Sequence, residues 1–195
     1  MRNLTILTGA SRGMGLAMAQ QLLDQGHDLL CISRKTNDEL AARATQAGRR
    51  LEQWTQDLAR AESAAAKLET WLKAQEGAAF ASVTLVNNAG LIPRIAPLDA
   101  IPAAQLAEAM RVDLEAPLLL TGAFLRGTAG WTGARRVLNI SSGLGRRAMA
   151  QARVPSCTKR RNSRCISTGS GVVRPVASTC GGRPMPCVPI NAQGS

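Results

Sequence analysis

The sequence of 195 residues predicts an α/β protein built on a doubly wound parallel sheet. Five short runs typical of strands alternate with longer segments in which apolar residues recur at helical spacing. The first run, residues 3–8, is mostly apolar with little polar alternation, which indicates a strand that is covered on both faces. A glycine-rich turn follows the first run directly, as in a βα unit. Strands that alternate with helices form parallel sheets with helices on either side, so we expect five such strands.

The first βα unit begins with a strand over residues 3–8. The turn TGASRGMG, residues 8–15, follows at once and opens a helix. Apolar residues then recur at helical spacing as far as Gly26, which predicts a glycine at the end of this helix. A strand that leads through such a turn into a helix presents backbone N–H groups to a pyrophosphate. A nucleotide is therefore the first ligand to expect.

The remaining elements follow the same alternation. Residues 28–33 and 51–55 predict the second and third strands, and between them Asn37 or Asp38 caps a helix that ends near residue 48. The pattern continues with a helix over residues 61–75, a strand over 83–86, a helical segment over about 102–124 that is interrupted at Pro117, and a strand over 136–140.

The formal net charge of +11 would ordinarily indicate a nucleic acid or an anionic membrane as partner. The distribution favours neither, because all thirteen acidic residues lie between Asp24 and Glu115, where basic residues nearly balance them. The basic excess lies after Glu115. No apolar run approaches the roughly 20 residues that span a bilayer, and the chain starts without a basic leader. We therefore expect a cytoplasmic protein with no nucleic-acid or membrane partner.

The character of the sequence changes after about residue 150. The last 45 residues hold five of the nine prolines and no acidic residue, and they lack helical or strand periodicity. We expect one domain over residues 1–150 and an irregular basic tail over residues 151–195, disordered or translated out of frame. The tail also holds four of the five cysteines, but without a C-x-x-C pair or a nearby histidine, so we expect no metal site.

Four motifs along residues 3–150 resemble those of the short-chain dehydrogenase/reductase family. They are the TGASRGMG turn, Asp57-Leu58 after the third strand, NNAG at residues 87–90 and NISSG at residues 139–143. A glycine-rich turn alone occurs in many α/β folds, whereas the ordered set is specific. The resemblance implies a Rossmann-like sheet and an oxidoreductase with a nicotinamide cofactor. NISSG, followed by two arginines, is similar to reductases of the sepiapterin and benzil type.

Twelve residues of these motifs are candidates for binding the cofactor. Gly9 permits the tight turn, Gly13 lets the backbone approach the phosphates, and Gly15 lets the helix pack close to the sheet. The resemblance places Asp57 and Leu58 beside the adenine and the NNAG segment beside the ribose and nicotinamide. The full set is Gly9, Ser11, Arg12, Gly13, Met14, Gly15, Arg34, Asp57, Leu58, Asn88, Ala89 and Gly90.

The choice between NAD(H) and NADP(H) depends on the end of the second strand. An acidic residue there would accept hydrogen bonds from the ribose hydroxyls and repel a 2′-phosphate. The sequence has Arg34 at this point instead, and Arg12 projects from the glycine turn. Two guanidinium groups that clamp a phosphate predict NADP(H).

The catalytic set that the resemblance implies is incomplete. In the family, a serine holds the substrate carbonyl, a tyrosine transfers the proton, and a lysine four residues later lowers the tyrosine pKa. Ser142 fits the serine and Lys159 fits the lysine, but Pro155 occupies the tyrosine position and the sequence contains no tyrosine. Asp113 occupies the position of an asparagine that supports a water relay in the family. The candidates are thus Ser142, Lys159 and Asp113.

The sequence predicts an NADPH-dependent reductase of a small ketone or diketone, impaired by the loss of the tyrosine. Two alternatives stay open, an inactive nucleotide-binding remnant and a binding module with a basic tail. The departure from the family between Arg147 and Val154 leads to the hypothesis that the reading frame or the gene changes there. A homo-oligomer is compatible with the family, although the helix at its subunit interface is not recognisable in this sequence.

Overall fold

The computed structural model describes residues 1–142, which form a five-stranded parallel sheet in the order β3-β2-β1-β4-β5. The doubly wound sheet expected from the sequence is confirmed. The order changes direction between β1 and β4, so the connections that follow these two strands run to opposite faces of the sheet and leave a crevice at the carboxyl ends. The strands are β1 (Arg2–Thr8), β2 (His27–Ser33), β3 (Leu51–Thr55), β4 (Phe80–Asn87) and β5 (Ala134–Asn139).

Five α-helices lie in the described residues, and four of them pack in two layers on opposite faces of the sheet. Along β1, Leu4 and Ile6 join the layer that contains Phe124, while Leu7 joins the layer that contains Leu23. Successive residues of a strand point to opposite faces, which explains why an almost wholly apolar strand serves both layers. The helices are α1 (Gly13–Asp24), α2 (Asp38–Gln46), α3 (Ala61–Lys73), α4 (Ala103–Met110) and α5 (Ala116–Gly127).

Local backbone and side-chain interactions explain where α1 ends and where α2 begins. Gly26 lies just beyond α1 with a φ of +85°, and its N–H donates to the carbonyl of Leu23. A residue with a side chain resists this left-handed conformation, so glycine is the favoured choice. Asn37 caps α2, because its side-chain oxygen accepts the N–H of Leu40 at 2.8 Å.

A π-helical turn, Arg111–Glu115, joins α4 to α5. The sequence predicts an interruption at Pro117, whereas the wider turn lies immediately before it. Proline has no N–H, so Pro117 cannot form the usual α-helical bond to the carbonyl of Asp113 four residues earlier. The helix adapts by widening, and π turns of this kind often occur at functional sites.

Several sequence-based expectations fall on residues beyond 142 and lie outside the described residues. These include the basic tail over 151–195, the tail cysteines and Lys159. Within residues 1–142, no helix combines the length and the apolar character needed to cross a membrane. Nor does that part of the chain contain a group of three or more His, Cys, Asp or Glu side chains placed to hold a metal ion.

Candidate functional site

A cavity of about 340 Å³ opens at the carboxyl ends of β1, β2 and β4. Its size falls within the range of ligand sites, and its place at the switch in strand order is where open α/β sheets bind ligands. All twelve residues that the sequence predicts for the cofactor line this one cavity. Six further residues line it that sequence reasoning missed: Ile32, Ser33, Gln56, Leu91, Glu108 and Val112.

The glycine turn forms one wall of the cavity. Gly9 adopts a φ of +72°, and a Cβ added there would lie 2.9 Å from the Cα of Ala89. A Cβ on Gly15 would collide with the carbonyl oxygen of Gly9. Gly13 differs, because a Cβ there would meet no atom within 4 Å although its φ is +58°. The turn is therefore closed on its protein side and open at Gly13, as the close approach of a phosphate requires.

The side chain of Asn88 ties the end of β4 to the glycine turn. Its Nδ2 donates to the carbonyls of Thr8 at 3.0 Å and Gly9 at 3.3 Å. The hydroxyl oxygen of Thr8 accepts the N–H groups of Asn88 and Ala89, both at 2.9 Å. Four hydrogen bonds thus hold the two strand ends at a fixed separation. We infer that Asn88 shapes the cavity by supporting the backbone of its walls.

Two exposed arginines line the cavity near the end of β2. Within residues 1–142, neither Arg12 nor Arg34 forms a side-chain hydrogen bond or an ion pair. Between them, the hydroxyl oxygen of Ser33 accepts the N–H of Ala10 at 2.8 Å, which fixes the turn against β2. Both guanidinium groups are thus available to an anionic ligand, and Arg binds phosphate through planar paired donors.

A carboxylate also lines the cavity, on the far side of β2. Asp57 caps the short turn Leu58–Arg60, because its Oδ1 accepts the N–H of Ala59 at 3.0 Å. Leu58, which is buried, lies beside it and offers an apolar surface. A carboxylate acceptor next to an apolar side chain suits a flat heterocycle with an amino group.

The three catalytic candidates lie on three different segments of the chain. Asp113 does not line the cavity, but its Oδ1 accepts the N–H of Leu91, a lining residue, at 2.8 Å. Ser142 is the last described residue; it follows β5 and is exposed. Lys159 lies outside the described residues.

A side-chain link holds the end of β5 beside β4. The Nδ2 of Asn87 donates to the Oδ1 of Asn139 at 2.8 Å, and the N–H of Ile140 donates to the carbonyl of Asn87 at 2.9 Å. The link fixes the start of the segment that leads to Ser142. Sequence reasoning missed it, although an asparagine ends each of two neighbouring strands and Asn87 is paired with Asn139 in register.

Cys31 is the one cysteine of residues 1–142, and it takes no part in the site. Its side chain is buried in the layer with α1 and α2. Burial raises the pKa of this thiol to about 12, because the thiolate would lose its hydration. A nucleophilic or metal-binding role requires the thiolate, so Cys31 serves only in packing.

Sequence comparison places this arrangement in a known family. A family profile described as short chain dehydrogenase matches residues 3–162. The chain belongs to the short chain dehydrogenase family. This family member is 32% identical over 141 residues to benzil reductase ((S)-benzoin forming) of Bacillus cereus, covering 72% of this chain and 57% of that protein. It is 31% identical over 150 residues to sepiapterin reductase of Xenopus laevis, and the match covers 71% of this chain and 56% of that protein.

The chain therefore spans about half the length of the curated relatives it matches. Solved structures show the same fold. A short-chain dehydrogenase/reductase from Burkholderia vietnamiensis is 38% identical with a TM-score of 0.71, covering 81% of this chain and 71% of that one. A metagenomic short-chain oxidoreductase in complex with NADP is 31% identical with a TM-score of 0.67, and the match covers 80% of this chain and 70% of that one.

Proposed function

We propose that this short chain dehydrogenase binds NADP(H) in the cavity and reduces the carbonyl group of a small ketone or diketone. One observation carries the proposal: the glycine turn, both unpaired arginines and the NNAG segment line a single cavity at the switch in strand order. Relatives that are benzil and sepiapterin reductases support a carbonyl substrate. The related structure in complex with NADP supports the cofactor.

Each wall of the cavity has a part in binding. The open backbone at Gly13 and the N-terminus of α1 receive the pyrophosphate, where N–H groups and the helix dipole favour negative charge. Arg12 and Arg34 bind the 2′-phosphate, while Asp57 and Leu58 hold the adenine. When bound, the nicotinamide supplies the hydride. Ser142 then donates a hydrogen bond to the substrate carbonyl oxygen and stabilises the charge that develops there.

The sequence offers no tyrosine for the proton that must accompany the hydride. A positioned general acid contributes roughly 10² to 10⁴ in rate, so we expect weak turnover. A nucleotide-binding protein without turnover is the second candidate function, and the absence of tyrosine favours it. The hypothesis of a changed reading frame has a separate test: translation of the other two frames of the gene should reveal a tyrosine with a lysine four codons later.

The proposed function is tested by titrating the full chain with NADPH and then adding benzil. We expect saturable enhancement of NADPH fluorescence, followed by slow oxidation of the nicotinamide that is lost in Ser142→Ala with NADPH binding intact. Saturable binding with no oxidation would favour the inactive remnant. No saturable binding at millimolar NADPH would reject both. A cytoplasmic location and a homo-oligomer remain predictions from the sequence.

A further inference from the structure

The wall of the cavity formed by Gly90 and Leu91 belongs to a segment without regular structure. No helix or strand is formed between the end of β4 and the short turn Leu98–Ala100. Two apolar side chains of this segment contribute little burial, because Ile92 is 79% exposed and Ile95 is 77% exposed. Burial of these two side chains therefore contributes little to the position of the segment, which makes its backbone hydrogen bonds important.

Two described hydrogen bonds join residues 91–94 of this segment to the π turn and to α4. The N–H of Leu91 donates to Oδ1 of Asp113 at 2.8 Å. The N–H of Arg94 donates to Oε1 of Gln105 at 3.4 Å, a longer and weaker contact. A Cβ added to Gly90 would lie 3.5 Å from the same Oδ1 of Asp113. The carboxylate thus lies against the backbone of both wall residues.

The π turn explains why Asp113 is placed to make this contact. Pro117 prevents the regular α-helical bond to residue 113, and the turn widens around it. Next to Asp113 in the sequence, Val112 lines the cavity, and Ala116, just after the π turn, is buried. A regular helix would rotate residues 111–113 relative to the buried face of α5, so the carboxylate position depends on the π turn.

We propose that Asp113 is a positioning residue that fixes the wall formed by Gly90 and Leu91, and that it acts on NADP(H) affinity through this wall. The sequence predicts a different part for it, in a water relay. The effect on affinity rests on the proposed function, whereas the fixing of the wall does not. An Asn at this position would keep the accepting Oδ1, so the proposal requires acceptance of the Leu91 N–H and not the negative charge.

The experiment compares wild type, Asp113→Ala, Asp113→Asn and Gln105→Ala in the full chain. The first readout is amide hydrogen exchange at Leu91 in the absence of cofactor, with the thermal midpoint as a control for global stability. We expect Asp113→Ala to speed exchange at Leu91 by about tenfold, the size of one lost hydrogen bond at an exposed site. Asp113→Asn should restore protection, and Gln105→Ala should leave Leu91 unchanged.

The second readout is the Kd for NADPH in the same four proteins. We expect Asp113→Ala to weaken binding about three- to tenfold, and Asp113→Asn and Gln105→Ala to stay within about twofold of wild type. Unchanged exchange at Leu91 in Asp113→Ala overturns the proposal, as does faster exchange with unchanged Kd. If wild type fails to bind NADPH, the proposed function fails, and the exchange data alone still decide whether Asp113 fixes the wall.

Discussion

His27, the first residue of β2, combines a polar contact with partial burial. Its Nδ1 lies 2.9 Å from the hydroxyl oxygen of Thr5 on β1. Burial lowers the pKa of His27, and the charge of the neighbouring Asp28 only partly offsets this. Asp28 is itself paired with Arg2 at 2.9 Å. The folded state therefore favours a neutral imidazole at the amino ends of the strands, remote from the cavity.

The lowered pKa of His27 makes stability depend on pH. Unfolded His27 titrates near 6.5 and takes up a proton at a higher pH than folded His27. The contribution of this group is therefore complete above pH 6.5 and is lost as the pH falls below it. We expect the free energy of unfolding, measured in urea, to fall from pH 7.5 to pH 5 less steeply in His27→Gln than in wild type. Parallel pH profiles would show that His27 does not contribute.

At the scale of elements, the glycine turn and α1 act as one unit. The carbonyl of Gly9 occupies the space where a Gly15 side chain would lie, so α1 packs against the turn without a gap. Gly13, two residues earlier, has the strained φ but open surroundings. Close packing therefore requires glycine at position 15, whereas the left-handed backbone conformation favours glycine at position 13.

Substitution of these glycines by alanine should therefore have different effects. Gly13→Ala should cost about 1–2 kcal/mol of stability, the penalty for a left-handed residue with a Cβ. Gly15→Ala should cost about 3 kcal/mol or more, because backbone atoms of the turn have to move. Urea unfolding of both variants checks the order. A Gly15→Ala protein at least as stable as Gly13→Ala would contradict the packing described for this turn.

The sequence predicts all five strands along the chain, because they alternate with segments of helical periodicity. The predicted fourth strand, residues 83–86, is too short, because β4 begins at Phe80. The reason is a distant contact: Phe80 stacks on Trp131 with ring centroids 5.3 Å apart, and Arg2 of β1 lies over the same ring. The position of the break in the long helical segment was wrong by a few residues, since the helix absorbs Pro117 by widening beforehand.

At the scale of the whole molecule, the candidate site is assembled by topology. Motifs about 80 residues apart meet because β1 and β4 are neighbours. The sequence predicts the twelve lining residues through their resemblance to family motifs, without knowledge of this strand order. Glu108 of α4 and Val112 of the π turn also line the cavity, although no local sequence pattern marks them as lining residues. Likewise, the contact of Asp113 with Leu91 depends on a π turn that sequence reasoning does not anticipate.

Arg12 and Arg34, which have no side-chain partner within residues 1–142, carry the proposed preference of this cavity for NADP(H). In the proposed mode of binding, a 2′-phosphate between them gains charge-assisted hydrogen bonds worth about 1.5–3 kcal/mol each. NADH lacks this phosphate and should bind at least tenfold more weakly than NADPH. An aspartate in place of Arg34 would repel the phosphate and accept hydrogen bonds from the ribose hydroxyls of NADH.

Calorimetric titration of NADPH and NADH into wild type and Arg34→Asp is the most direct test of the central claim that this cavity binds NADP(H) through its two arginines. Our account predicts a Kd for NADPH at least about tenfold below that for NADH in wild type, and a reversed preference in Arg34→Asp. Equal affinity of wild type for the two dinucleotides, or a preference that Arg34→Asp leaves unchanged, would contradict it.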